Sequence, residues 1–212
     1  MTAKIGVVLV SYNASTAVRV TLASLRAAHN DVPFDLVLVD NASREEERGL
    51  IRDAMQVHIA AIGASWTRIQ ESDNLGFSGG NNVGITHFLG DASITHICLL
   101  NSDVIVTDGW LDGMLATDCG IISTVTNKSE SEQCVPIDYE IDLDHALGDR
   151  ESLTSGVFEV VNAFAERRRK AFAGSLVDAD ATFFCVMMKR EVIEQVGLLD
   201  EAFFPGGFED DD

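Results

Sequence analysis

Three apolar stretches along the chain each stop abruptly at polar residues. Lys4-Ile5-Gly6-Val7-Val8-Leu9-Val10 runs into Ser11-Tyr12-Asn13, Phe34 to Val39 runs into Asp40-Asn41-Ala42-Ser43, and Ile94 to Leu100 runs into Asn101-Ser102-Asp103. Near-continuous β-branched runs predict parallel strands buried on both faces. Trp66 to Gln70, before a loop at Glu71 to Asn74, is a further strand candidate. Helical periodicity fills the gaps: Val18, Leu22 and Leu25 recur at i, i+4 and i+7 in a helix from about Ser15. Ser43, followed by Arg44, Glu45 and Glu46, reads as an N-cap with acids in the first turn. Strands alternating with helices predict a doubly wound α/β domain. Ligands of open α/β sheets bind beyond the carboxyl ends of the strands, which places Asp103 like a metal-binding or catalytic group. Asn, Ser and Asp suit a helix-capping turn equally well, and the stretch alone leaves both readings level.

Past Asp103 the pattern predicts a brief extension over Val104 to Thr107, a short helix around Gly109 to Ala116 and a strand within Gly120 to Val125. Thr126 to about Asp149 is rich in Ser, Glu and Asp and reads as an exposed excursion. A helix is predicted over Ser152 to Lys170, with Val157, Val160, Val161 and Phe164 apolar. A buried strand over Ala181 to Met188 and a helix from Lys189-Arg190 to near Gly197 follow. The chain ends in a Pro-Gly-Gly turn and Phe208-Glu209-Asp210-Asp211-Asp212. The aromatic approach and glycine turn suggest a loop held against the domain, where an acidic end would otherwise be a solvated tail.

Composition narrows the function classes. At 212 residues and 46% hydrophobic content, the chain suits one large domain with a proper core. No apolar run approaches the length needed to span a bilayer, and no basic-then-apolar leader is visible, so a cytoplasmic setting is expected. A net charge of −19 argues against nucleic acid and against simple adhesion to anionic membrane. An acidic protein handling an anionic substrate needs a cation, an early hint of a divalent metal. Cys98, Cys119, Cys134 and Cys185 lack Cys-x-x-Cys spacing and read as reduced thiols. Arg167-Arg168-Arg169-Lys170 is either a solvated helix end or a contact for phosphate or a lipid-linked acceptor.

The first strand leads to Ser-Tyr-Asn and not to a glycine-rich turn, which disfavours a dinucleotide-binding Rossmann enzyme or a P-loop nucleotidase. The glycines come later, in Asn74-Leu75-Gly76-Phe77-Ser78-Gly79-Gly80-Asn81-Asn82-Val83-Gly84. That stretch either cradles a phosphate at the start of a helix running to about Leu89 or is a connector whose asparagines cap the helix.

The ordered set Val-Leu-Val-Ser-Tyr-Asn, Val-Asp-Asn-Ala-Ser, Asn-Leu-Gly-Phe-Ser-Gly-Gly-Asn-Asn-Val-Gly, Leu-Leu-Asn-Ser-Asp and Gly-Phe-Glu-Asp-Asp-Asp resembles family 2 glycosyltransferases. The likeness is nearest to bacterial members resembling rhamnosyl- and galactofuranosyltransferases. It implies a GT-A fold, a mainly parallel nucleotide-binding sheet flanked by helices. The chain would be a single domain, 1–125 holding the nucleotide sugar and 126–212 forming an incomplete acceptor side. The implied reaction is inverting transfer from a UDP- or dTDP-sugar to an acceptor hydroxyl in cell-surface polysaccharide or glycolipid synthesis.

By the same resemblance Tyr12 stacks on a pyrimidine and Asp40 hydrogen-bonds its imide edge. Ser11, Asn74, Gly76, Gly80, Asn81, Asn82, Asn101 and Ser102 complete the donor site. Asp103 matches the metal carboxylate of an Asp-x-Asp element whose first position is Asn101, so Mg²⁺ or Mn²⁺ would bridge it to the diphosphate. Asp210 matches the general base. The sequence stops just after that base, where family members continue, so a chain truncated on its acceptor side or one domain of a longer protein is expected. Implied partners are the donor and a saccharide or lipid-linked acceptor, with room for peripheral association at the inner membrane face. A donor-binding domain without transfer is the alternative. A sugar-1-phosphate nucleotidyltransferase would need a basic glycine-rich turn after the first strand, and is disfavoured.

Overall fold

The computed structural model describes residues 3–128, 131–137 and 155–206. The six strands are β1 (Ile5–Ser11), β2 (Phe34–Asp40), β3 (Trp66–Gln70), β4 (His96–Leu100), β5 (Ile121–Ser123) and β6 (Cys185–Lys189). They form one sheet in the order β3-β2-β1-β4-β6-β5. Strands β1 to β4 pair in parallel, whereas β6 runs antiparallel to both β4 and β5. The helices are α1 (Ser15–Ala27), α2 (Glu45–Ile62), α3 (Gly76–Leu89), α4 (Trp110–Leu115), α5 (Ser155–Phe172) and α6 (Arg190–Val196).

Alternating strand residues feed two cores, as the two-residue pleat requires. Val7, Leu9, Leu36, Leu38 and Cys98 pack under α1, α2 and α4, with Leu22, Met55 and Leu111 contributed by those helices. Val8, Val37, Val39 and Leu99 pack under α3 and α6, with Ile85, Phe88 and Ile193. A sheet covered on both sides explains why the strands read as continuous apolar runs.

Helix α3 starts at Gly76, earlier than a glycine-rich connector would allow, and Asn81 and Asn82 lie inside it. Each glycine costs about 1 kcal/mol of helix propensity relative to alanine. Close packing overrides that cost: a Cβ on Gly84 would stand 2.3 Å from Val8 Cγ1, and one on Gly80 2.7 Å from Val10 Cγ1. Only a helix bare on that face can lie so near β1. Arg190, at the start of α6, caps the other end of α3, donating to the Leu89 carbonyl at 2.7 Å and to that of Asp91 at 2.9 Å.

Several boundaries differ from the sequence expectation. Ser43 is not the N-cap of α2; that position is Arg44, with no side-chain cap, while Glu45, Glu46 and Glu47 do occupy the first turn. The Ser43 hydroxyl instead accepts from the Asn13 N–H, so it is spent tying the β1 and β2 loops together. Glu47 reaches across to accept the Ser15 N–H at the start of α1, and hydrogen bonding from the Ser15 hydroxyl and then its N–H holds the Glu47 carboxyl below the usual range. Val104 to Thr107 form no strand, and β5 and β6 are shorter than their apolar runs. Helix α5 has no fully buried residue among those described, and Val160 is exposed. It docks through a polar pair: Asn162 donates to Asp108 Oδ2, and Asp108 N–H donates back to Asn162 Oδ1.

All four cysteines are free, with Cys98 and Cys185 buried. A hydrogen bond to Cys185 and burial push the Cys98 thiol well up, as expected of a packing residue. No helix of the described residues is long and apolar enough to cross a membrane.

Candidate active site at the carboxyl edge of the sheet

The polar ends of the strands converge on one cleft of about 580 Å³. Val10 and Tyr12 from β1 and its loop form one side, followed by Ala14, just before α1, and Ala17 within it. Leu100, Asn101, Ser102 and Asp103 at the end of β4 form a second side. Asn41 after β2, Asn74, and Gly76, Phe77 and Asn81 of α3 make the third, and Pro205 closes it. Tyr12 is 51% exposed, a large ring held at the mouth of the cleft instead of in the core.

Hydrogen bonds fix this frame. Asn41 donates through Nδ2 to Asn74 Oδ1 and to the Gly76 carbonyl, and its Oδ1 accepts the Leu75 N–H, each at 2.9 Å. One buried amide thereby ties β2 to the loop that opens α3. On the opposite side, Thr21 Oγ1 donates to the Ser102 carbonyl at 2.8 Å, and Asn101 N–H donates to Phe184 O at 2.8 Å. The Asn-Ser-Asp turn is so held from α1 and from the segment leading into β6. Asp103 itself is exposed and has no hydrogen-bond or ion-pair partner among the described residues.

Of the residues singled out from the sequence, Tyr12, Asn74, Gly76, Asn81, Asn101, Ser102 and Asp103 line the cleft. Ser11 and Asp40 lie just beneath it, buried in adjacent register positions of β1 and β2. Asp40 Oδ1 accepts the Ser43 N–H, while Oδ2 makes an ion pair with Arg68 at 3.5 Å but no hydrogen bond, and Ser11 Oγ has no hydrogen bond. Gly80 packs on Val10 and Asn41, and Asn82 is buried against the Leu199–Glu201 segment; neither lines the cleft. Asp210 lies outside the described residues.

Two N–H groups at the start of α3 already have acceptors within the protein. Gly76 N–H donates to Asn74 Oδ1, and Phe77 N–H donates to the Pro205 carbonyl. A phosphate would have to compete with protein acceptors for both donors. Asn41 and Pro205 were missed by sequence reasoning. Asn41 was within reach, since it directly follows the acidic end of an apolar run. Pro205 lies 129 positions after Gly76, and no local pattern signals that meeting.

The donor set suits a hard cation. Asn101, Ser102 and Asp103 offer oxygen ligands only, with an unpaired carboxylate among them. No group of three or more His, Cys, Asp or Glu that could hold a metal occurs among the described residues. Such a set fits Mg²⁺ or Mn²⁺ that takes its remaining ligands from water and substrate oxygens, as oxygen-binding cations with few protein ligands do.

Residues 6–120 match the family described as Glycosyl transferase family 2. No curated protein matches the sequence. Among solved structures, the chain is similar to the mannosyltransferase PcManGT from Pyrobaculum calidifontis in complex with GDP-Man and Mn²⁺. The identity is 18% and the TM-score 0.55, over 93% of this chain and 47% of that one. It is also similar to S. aureus TarS 1-349, at 15% identity and TM-score 0.57, over 98% of this chain and 52% of that one. The chain therefore spans about half the length of these structures, and the fold it shares with them is GT-A.

Proposed function

The chain belongs to glycosyl transferase family 2, and from that premise we propose that it transfers a sugar from a nucleoside diphosphate sugar to an acceptor hydroxyl with inversion. One observation carries the reading: residues from five separated segments of the chain meet in a single cleft with an exposed aromatic at its mouth and an unpaired carboxylate across it. Tyr12 offers its ring to the nucleobase. Asp40, buried beneath the cleft with Oδ2 free of hydrogen bonds and 3.5 Å from Arg68, is assigned as the acceptor for a base-edge N–H. Asn101, Ser102 and Asp103 would hold Mg²⁺ or Mn²⁺, which when bound supplies charge neutralisation for the diphosphate.

The acceptor oxygen forms a bond to the anomeric carbon while the bond from that carbon to the diphosphate breaks, and the hydroxyl proton passes to a carboxylate on the attacking face. Asp210 is that base by the resemblance of Phe208-Glu209-Asp210-Asp211-Asp212 to the family motif. A base positioned in this way contributes about a hundredfold or more. Rhamnosyl- or galactofuranosyl-type donors and a cell-surface acceptor remain the preferred substrate classes.

Calorimetric titration with UDP, dTDP and GDP, each with and without Mn²⁺, tests the donor site. Binding strengthened by Mn²⁺ is expected, and the absence of binding to all three overturns the reading. Release of nucleoside diphosphate from the matching sugar donor in the presence of acceptor tests transfer. Asp210→Asn is expected to keep donor binding and lose turnover. Donor binding without any turnover would assign a binding domain instead.

A further inference from the structure

The last described stretch of the chain, Leu199 to Gly206, lies as a strap along the amino-terminal half of α3. Three contacts fasten it. The Asn82 side chain pairs with both backbone groups of Leu199: its Nδ2 donates to the Leu199 carbonyl at 2.9 Å, and its Oδ1 accepts the Leu199 N–H at 3.0 Å. The same Nδ2 donates to Glu201 Oε1 at 2.9 Å. One helical turn closer to the cleft, Phe77 N–H donates to the Pro205 carbonyl at 2.9 Å. Gly76 leaves room for that approach, since a Cβ there would stand 2.7 Å from the Pro205 oxygen.

The strap matters to the site because Pro205 is part of the cleft wall. Asn82, by contrast, is 5% exposed, and every polar atom of its side chain is engaged by the strap. We propose that Asn82 is a positioning residue: it seats the strap that walls the donor cleft, and governs nucleotide affinity without touching the nucleotide. This inference rests on the reading of the cleft as a donor site. It replaces the role as a donor ligand that the family motif suggests for Asn82.

Reversing the polarity of the Asn82–Glu201 pair tests the proposal. Asn82→Asp sets a carboxylate against the Glu201 carboxylate and the Leu199 carbonyl, so acceptors face acceptors. Adding Glu201→Gln restores a donor to the pair, now from the other side. The readouts are hydrogen exchange at the Leu199 and Phe77 amides, and calorimetric affinity for UDP, dTDP or GDP with Mn²⁺, whichever binds the unsubstituted chain.

In Asn82→Asp, exchange is expected to rise, and affinity to fall, by about tenfold or more, the size of a lost hydrogen bond to a charged group. The double variant should bring both part of the way back, because the Glu201 contact is repaired while the Leu199 carbonyl still faces a carboxylate. Should Asn82→Asp alone fail to fold, the double variant carries the comparison. Exchange that recovers in the double variant while affinity does not would mean that Asn82 contacts the nucleotide, and would overturn the proposal. So would a loosened strap with unchanged affinity. If the unsubstituted chain binds none of the nucleotides, the donor-site reading fails first and the coupling fails with it, a result distinct from both.

Discussion

Gly76→Ala puts the packing of the strap to a direct test. Gly76 has φ +72°, in the left-handed region, where an alanine costs about 1–2 kcal/mol. Its added Cβ would also stand 2.7 Å from the Pro205 carbonyl oxygen, 2.9 Å from Phe204 Cδ2 and 3.2 Å from the Pro205 carbonyl carbon. Two of these three atoms are backbone and cannot rotate away, so the strap must shift. Overpacking of this kind costs about 1–3 kcal/mol, or the strap lifts and gives up the Phe77–Pro205 hydrogen bond for a similar loss. Gly63 provides the control. It caps α2 with φ +71°, and nothing lies within 4 Å of its Cβ position. Gly63→Ala therefore carries the backbone cost alone. In a chain of this size each kcal/mol lowers the thermal midpoint by about 2–4 °C. Gly63→Ala should lose a few degrees, and Gly76→Ala about twice as much or more, by calorimetry or circular dichroism. Nucleotide affinity should fall only in Gly76→Ala, because only there is a cleft wall displaced. Equal losses for the two variants would refute the claim that the strap is packed against the start of α3.

Further outcomes follow from the same geometry. Asp103→Ala should abolish the Mn²⁺-dependent part of nucleotide binding while leaving the thermal midpoint of the free protein within a degree or so, because the carboxylate has no partner to lose; titration with and without Mn²⁺ reads this. Arg190→Lys should cost about 2 kcal/mol in denaturant unfolding, since one ammonium cannot reproduce a guanidinium fork bonded to the Leu89 and Asp91 carbonyls. Asp91 is held down to about 2 by hydrogen bonds from the Ser93 hydroxyl and N–H and from the Lys4 ammonium. A depressed carboxyl contributes stability that is present above its unfolded value and lost as the pH falls through its folded one. Between about pH 4 and pH 2, Asp91→Asn should accordingly lose less thermal stability than the unsubstituted chain, by a small margin because the group is exposed.

Much of the architecture was legible in the chain because burial on both faces leaves a local signature. The runs ending at Val10, Val39 and Leu100 are apolar on both faces through Val7–Val10, Leu36–Val39 and Ile97–Leu100 since cores lie on both sides of them, and their polar ends mark the edge where the cleft opens. Tyr12 and Asp103 could be picked out for the same reason: Tyr12 directly follows β1, and Asp103 lies in the polar turn just past β4. Other features depend on partners that are distant in sequence. The glycines of α3 read locally as a loop, and they form a helix only because Val8 and Val10 lie close enough to reward the missing side chains. The antiparallel placement of β6 between β4 and β5 depends on pairings that span scores of residues, such as Leu100 with Cys185. Asn82 follows Asn81 in one motif, yet in the helix they point differently, one lining the cleft and the other bonded to a strap more than a hundred residues away. Sequence alone determined which segments would be strands and where their polar ends would gather, since those follow from which side chains can leave water. Tertiary structure decided which polar groups face the cleft and which are consumed in holding its walls, since a hydrogen-bond partner is set by position in space and not by spacing along the chain.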